Sequence, residues 1–450
     1  MIIMKLSSAA VSLDTTYLGD DVEFRGCSTD SRNLNPGELF IAIKGEHFDG
    51  HDFLMNAKQR GAAAAMVINA DQQCLPTLVV QDTRRAMGKL AGTWRSGFAI
   101  PLIAITGSNG KTTVKEMLVS ILSLKAPVLA TVRNFNNDIG VPLTLFGLGS
   151  EHRYAVVEMG ANHPDEISWL STITRPTVAL ITQCAPAHLE GFGSMEGVAM
   201  AKAEIFDGFD PGGVAIINAD DDFAEFWRNR VTGFKQLSFG LKNQADVTAK
   251  SISQSITTGT NNFELSTPAG IIDIELPMLG LHNIMNAMAA TACALALEID
   301  LKLIKQGLEM MKPVKGRLEM KKGLNNSRII DDTYNANPVS LTAAIKAISS
   351  FSGRRWLVLG DMGELGVQSE SLHADAGNLA RVNGIERVFA IGVLSQHAVR
   401  SFGHGAQHFS SMETMIDALK KEIAADVILL VKGSRSMKME RVTSVLEMKN

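Results

Sequence analysis

Short apolar runs separated by helical patterns dominate the chain. TLVVQD, LIAIT, YAVVEM, TVALIT and GVAIINAD each hold three or four consecutive apolar residues bounded by polar or turn-forming ones. A run of that length, with no polar alternation, predicts a strand buried on both faces, as in a parallel sheet. RIIDD, RWLVLGD, RVFAIG and DVILLVKG repeat the pattern toward the C-terminus. Two such series predict two α/β units, each a doubly wound sheet with helices on both faces. The opening of the chain differs. GELFIAIKGEHFDGHDF and GAAAAMVI predict a smaller, mixed α/β domain. The changes of pattern put boundaries near residues 83 and 313, giving units 1–83, 84–313 and 314–450, with Pro313 and the following VKGR as a hinge. There is no repeat at a fixed period and no low-complexity tract.

Composition narrows the setting. A chain of 450 residues is too long for one ordinary core. Hydrophobic residues make up 46% and charged residues 20%, the balance of a globular protein. The formal net charge of -4 offers no basic surface to nucleic acid or acidic membranes. Cys27, Cys74, Cys184 and Cys293 are scattered and form no C-x-x-C pair, which reads as reduced, packed thiols. The N-terminal MIIMKLSSAAVSLD has too short an apolar run for a secretory signal, and no stretch stays apolar for the ~20 residues of a membrane span. A cytoplasmic protein is expected.

The most informative stretch is IAITGSNGKTTVKEM, residues 103–117. It is a strand, a glycine turn and a helix whose apolar residues Val114, Met117, Leu118, Ile121 and Leu122 recur at helical spacing. The general phosphate-loop pattern G-x-x-x-x-G-K-[ST] would need a glycine where this chain has Ile105. The context nevertheless suits an anion. Gly107 and Gly110 let backbone N–H groups close around a phosphate at a helix N-terminus. Lys111 supplies a mobile positive charge, and Thr112 a hydroxyl suited to Mg²⁺. Gly107, Ser108, Asn109, Gly110, Lys111, Thr112 and Thr113 are thus candidate nucleotide contacts.

Further ligands are expected at the C-terminal ends of neighbouring strands. Glu158 follows three apolar strand residues in AVVEMGAN. His188 lies in the loop ITQCAPAHLEGFGS, where spacing alone leaves its role open. Lys202 falls on the apolar helical face of Val198, Ile205 and Phe209. A lysine so placed either snorkels or has a depressed pKa and a function. A neutral lysine amine can add CO₂, and the resulting carbamate would act as a carboxylate-like metal ligand. In the last unit, Asp332 and the turn Asn335-x-Asn337-Pro338 end a strand, where a carboxylate suits a ribose; an ordinary Asx turn would use the same residues. Arg317 could bridge phosphates from a neighbouring domain. Lys432, Ser434 and Arg435 follow another strand and could meet a carboxylate.

Together these residues carry a resemblance. TGSNGKTT at 106–113 resembles the ATP loop of the Mur ligase family, whose shorter pattern accounts for Ile105. Glu158, His188, Lys202, Asn283 in LHNIMN, Arg317 and Asp332 follow in the family's order along the whole chain. VEMGANHPDEI, NFNNDIGVPLTL and DDTYNANPVS resemble the branch that joins D-alanyl-D-alanine to UDP-N-acetylmuramoyl-tripeptide. The resemblance implies three domains: a small mixed α/β domain for the UDP-linked substrate, a central P-loop-type ligase domain, and a Rossmann-like C-terminal domain that closes on ATP and binds the dipeptide. It further implies adenine near Asn283, ribose at Asp332, one Mg²⁺ at Thr112 and Glu158 and a second at His188, with a carbamate on Lys202 helping to position the metal site. Lys111, His188 and Lys202 are the expected catalytic residues. Substrate contacts are expected at Ser31, Arg32, Asn134, Asn137, Asn335, Lys432, Ser434 and Arg435. The implied reaction passes through an acyl phosphate, carried out by a monomer. A folylpolyglutamate synthase-like ligase would share this chemistry but lack the first domain. A guanine-nucleotide switch is opposed by the absence of an N-K-x-D motif.

Overall fold

The parallel strands expected from the apolar runs form the centre of the molecule. The computed structural model describes residues 1–46, 48–69, 74–186, 189–255, 258–349 and 351–448. The central sheet has six strands, all parallel, in the order Lys235–Phe239, Val214–Asn218, Val178–Ile181, Leu102–Thr106, Tyr154–Glu158, Val128–Ala130. Strand Leu102–Thr106 is fully buried, and its side chains divide between two cores. Leu102 and Ala104 face one, Ile103 and Ile105 the other. That division is why the run shows no polar alternation. Each large aliphatic side chain so buried contributes about 1.5–3 kcal/mol.

The core around Ile103 and Ile105 also takes Val114, Met117, Leu118 and Ile121 from helix Lys111–Leu122. Helices Leu281–Ala296 and Leu301–Glu309 cover that helix from outside. A three-stranded antiparallel sheet, Thr248–Ser255, Thr260–Thr267 and Gly270–Leu276, is added to this domain. The apolar-run pattern does not announce it, because these strands alternate buried and exposed residues.

At the N-terminus, TLVVQD supplies strand Thr77–Val79, which belongs to a separate five-stranded sheet. The order there is Thr16–Leu18, Thr77–Val79, Ala64–Val67, Leu39–Ile41, Cys27–Ser28. Only the first pair is antiparallel, so this domain is mixed as expected. The C-terminal sheet runs Glu319–Lys322, Arg328–Asp332, Val427–Lys432, Arg354–Gly360, Arg387–Ile391, Ala406–Phe409. Its first pair is antiparallel and the rest parallel.

Arg95 fastens the parts together. It is 4% exposed. From helix Thr83–Ser96 it donates Nε to the Thr174 carbonyl at 3.0 Å and Nη2 to that of Ile100 at 3.1 Å, and Nη1 donates to the Phe98 carbonyl. The clamp joins the end of helix Glu166–Thr174 to the approach of strand Leu102–Thr106. Arg95→Met keeps an apolar stem but leaves buried carbonyls without donors. The expected cost is about 1–3 kcal/mol, read as a lower midpoint for the denaturation step that includes the central domain. An unchanged midpoint would show that the clamp holds nothing.

Candidate active site

Thr106, Glu158 and Ile181 end three adjacent parallel strands, and register pairs Thr106 with Ile181 and Glu158 with Ile105. The loop 107–110 leaves this edge. Gly110, at φ 86°, caps helix Lys111–Leu122, a conformation open to glycine at little cost. Its missing side chain also matters, since a Cβ there would stand 2.5 Å from Asn286 Oδ1. The Ser108 N–H bonds the Gln183 carbonyl at 2.9 Å, and the Thr182 hydroxyl donates to the Asn109 carbonyl at 2.6 Å. The loop is therefore held by the neighbouring strand's exit. Thr113 is buried in the first turn of the helix.

Lys111 curls back, its ammonium 2.5 Å from the Gly107 carbonyl. Burial pulls its pKa down to about 8, against an opposing pull from Glu158, while Arg317 lowers it further. Glu158 is 1% exposed. Its Oε2 accepts the Thr112 hydroxyl at 3.2 Å, while its Oε1 is buried without a partner. An orphaned carboxylate oxygen beside a threonine hydroxyl is a set of hard oxygen donors, and it fits Mg²⁺. Arg317, from the C-terminal domain, donates Nη2 to Thr112 Oγ1 at 3.0 Å and lies 4.3 Å above the Tyr334 ring.

A second contact joins the same two domains. Asn337 Nδ2 donates to Asn109 Oδ1 at 2.9 Å. Between these contacts lies a cavity of about 1010 Å³, including open solvent, lined by Gly110, Thr113, Asn283, Arg317, Asp332 and Asn335 among others. Asn283 donates to the Leu279 carbonyl at 2.7 Å and accepts from Asn286 at 3.2 Å. Asp332 is 2.5 Å from the Lys432 ammonium, a pairing set by the register of their adjacent strands. Lys432 also donates to the Asn335 carbonyl at 2.9 Å. Lys432, expected to be available to a substrate carboxylate, is thus directed at Asp332.

On the loop's other side a larger cavity of about 2270 Å³, also open to solvent, takes residues from all three domains. Lys111, Thr112, Asn134, Asn137, Glu158, Lys202, Asn335 and Arg435 line it. Lys202, in helix Met195–Ala203, is 3% exposed, and its Nζ lies 5.4 Å from the Phe192 ring centroid. Burial, reinforced by the Lys111 charge, brings its pKa down to about 7. Ser434 is buried and lines neither cavity; its hydroxyl is 3.1 Å from that of Ser436. Ser31 and Arg32 also line neither, and Arg32 is exposed, paired with Asp30 at 2.9 Å. His188 lies outside the described residues.

Three neighbours escaped the sequence reading. Tyr334 and His282 sit inside stretches singled out above, but nothing in their spacing marks them. His282 lines the first cavity, and burial holds its pKa near 4. Arg85 lines the second, on a helix whose chemistry gives no motif.

A phosphate-type loop, a buried carboxylate and an arginine delivered from a second α/β domain define a nucleotide-binding site built between domains. The chain belongs to the Mur ligase family. The family's catalytic domain matches residues 23–95, its middle domain 105–294, and its glutamate ligase domain 316–435. The sequence is 44% identical over 450 residues to the UDP-N-acetylmuramoyl-tripeptide–D-alanyl-D-alanine ligase of Escherichia coli (strain K12), covering 99% of each chain. The fold is similar to the crystal structure of MurF from Acinetobacter baumannii, with a TM-score of 0.94, 37% identity and 99% of each chain covered. It is also similar to MurF ligase from Thermotoga maritima in complex with ADP, with a TM-score of 0.83, 27% identity, and 93% and 96% of the two chains covered.

Lys202 makes a prediction about pH. Its folded pKa of about 7 lies below the ordinary 10.5. The unfolded chain therefore binds more protons between those values, and the unmodified lysine destabilises the fold increasingly as pH falls toward 7. In CO₂-free buffer, Lys202→Met should gain stability relative to the parent below pH 7 and lose that advantage toward pH 10.5. A pH-independent difference in denaturation would contradict the buried, neutral amine.

Proposed function

We propose that the chain is an ATP-dependent ligase that joins D-alanyl-D-alanine to UDP-N-acetylmuramoyl-tripeptide in cytoplasmic peptidoglycan precursor synthesis, acting as a monomer. Arg317 reaching across a domain boundary to the phosphate loop, beside a buried carboxylate with a free oxygen, is the observation that carries the mechanism. Full-length similarity to ligases bearing that name supports the substrates. In this reading residues 1–83 hold the UDP-linked substrate, with Ser31 and Arg32 as contacts. Residues 84–313 bind ATP and activate the peptide, and residues 314–450 close over ATP and receive the dipeptide. No helix among the described residues is long and apolar enough to cross a membrane.

In this reading Gly107 to Thr113 would hold the phosphates of ATP, Asn283 the adenine and Asp332 the ribose; the last two line one cavity, and Lys432 pairs with Asp332. Lys111 and Arg317 meet the charge that grows as the tripeptide carboxylate takes the γ-phosphoryl group and ADP leaves. The resulting acyl phosphate makes an inert carboxylate a good acyl donor. The dipeptide amine then attacks that carbonyl, a tetrahedral intermediate collapses, and phosphate departs. Asn134, Asn137, Asn335 and Arg435, all at the larger cavity, position the two peptides, with Ser434 supporting the turn that carries Arg435. Closure of the C-terminal domain excludes water, which would otherwise hydrolyse the acyl phosphate. Thr112 and Glu158 would hold Mg²⁺, with His188 contributing; bound there, the ion neutralises phosphate charge.

Lys202 enters through its depressed pKa. With its pKa brought to about 7, this buried amine beside the Lys111 charge is in large part neutral near pH 7, and a neutral amine adds CO₂, releasing a proton and leaving a carbamate. The product is anionic, so a repulsive pair of ammonium groups becomes an attractive ion pair and another oxygen donor.

The test is a phosphate-release assay with ATP, Mg²⁺, UDP-N-acetylmuramoyl-tripeptide and D-alanyl-D-alanine, each omitted in turn. Release is expected only with all four. Release that persists without the dipeptide would mark a plain nucleotidase, and none with everything present would refute the ligase. Lys111→Ala should lower kcat by about 10²–10³-fold; near-normal rates would remove it from the mechanism. Lys202→Ala should be severely impaired and partly restored by a short carboxylic acid. Impairment without any restoration would argue against the carbamate.

A further inference from the structure

Arg85 sits at the mouth of the larger cavity, unused by the chemistry above. Asp82 caps the start of its helix, accepting the N–H groups of Arg84 and Arg85 at 2.8 and 3.0 Å. The cap fixes where both side chains leave the backbone. Arg84 is already engaged, its Nη1 3.3 Å from Asp138 Oδ2. Arg85 instead has its guanidinium carbon 4.6 Å from the centroid of the Trp169 ring, on helix Glu166–Thr174. The indole gets close because position 88, one helical turn on, is glycine. A Cβ there would stand 2.7 Å from Trp169 Cζ2.

A cation–π contact steadies the guanidinium while using none of its N–H groups. Among the described residues no hydrogen-bond acceptor or carboxylate pairs with it. Three of the acids lining this cavity already have partners. Asp82 caps the helix, Asp138 holds Arg84, and Glu166 accepts the Asn162 N–H at 2.8 Å. What remains is an exposed, planar fork of donors lining a cavity shared with the phosphate loop.

We propose that Arg85, held against Trp169 at the edge of this cavity, is a specificity-determining residue that binds a carboxylate of the peptide substrate other than the one the reaction activates. This rests on the ligase reading above. Such a peptide offers two sources of the same chemistry. One is a second carboxylate on the terminal residue, present in diaminopimelate and absent from lysine. The other is an acidic residue within the peptide. Either would take the fork in a bidentate pair, which fixes the peptide's orientation while its terminal carboxylate approaches the phosphate.

The test compares wild type, Arg85→Gln, Arg85→Lys and Trp169→Leu on three nucleotide-linked tripeptides: one ending in diaminopimelate, one ending in lysine, and a diaminopimelate peptide with its internal acid amidated. KM is read for each, or an inhibition constant for a peptide not turned over. With the diaminopimelate peptide, Arg85→Gln should raise the peptide KM by about ten-fold or more with kcat and the ATP KM little changed, the signature of lost uniform binding. Arg85→Lys should fall between, and Trp169→Leu should shift KM in the same direction. Loss of the penalty in the lysine arm assigns the carboxylate to the terminal residue, and loss in the amidated arm assigns it to the internal acid. A penalty of equal size in all three arms, or none in any, would overturn the proposal. If wild type is inert with every peptide, the ligase reading itself fails, a result distinct from active wild type with an indifferent Arg85.

Discussion

The structure depends on an excess of positive charge kept out of water at one edge of a parallel sheet. Lys111, Lys202 and Arg317 line one cavity there together with the buried carboxylate of Glu158, which acts on Lys111. Burial depresses both lysines, and a neighbouring cation adds to it in each case, Arg317 for Lys111 and Lys111 for Lys202. An anion entering the site therefore meets cations that are poorly solvated and incompletely neutralised, where electrostatic attraction is strong. The strain of holding them is offset by the surrounding cores, which bury strand Leu102–Thr106 on both faces. A rigid strand can present its loop without shifting when charge arrives or leaves.

The C-terminal domain answers the same constraint by strand register. Asp332 and Lys432 are paired residues on adjacent parallel strands, so their ion pair follows directly from the sheet. Breaking such a pair by removing one partner costs about 3–5 kcal/mol, because the other charge is stranded. That cost holds Asp332 at the mouth of the first cavity. Arg317 lies just before the edge strand Glu319–Lys322, stacked on Tyr334, and so reaches the phosphate loop as a preset unit.

Much of this was legible in sequence, for identifiable reasons. Strands apolar on both faces leave an unambiguous run, so the four inner strands of each six-stranded sheet could be read, whereas the edge strands, less apolar, could not. The loop 107–113 was legible because glycine, lysine and threonine there each answer a separate physical demand. Lys202 was legible because a charge on an apolar helical face is costly, and it is buried as that face required. The antiparallel sheet at 248–276 was missed because its alternation resembles that of a surface hairpin. Lys432 was expected to face substrate, since register between strands distant in sequence is invisible in a one-dimensional pattern. Arg85 and Trp169 were missed for the same reason: their stack is tertiary, and its only local sign is a glycine at 88.

The interface between the domains explains how a site this charged can still turn over. The direct bonds across it at the loop are few and polar, Arg317 to Thr112 and Asn109 to Asn337. Polar contacts of this kind exchange readily with water, so they orient the domains without locking them. A large apolar seam would have held the cavities shut and trapped product. A looser one would have left Arg317 too mobile to find the phosphate. The nucleotide can therefore supply the missing attraction itself, since its phosphates would be held by groups of both domains at once. Under the ligase reading proposed above, bound phosphates would strengthen contacts the domains already make, and release of phosphate would remove that added charge.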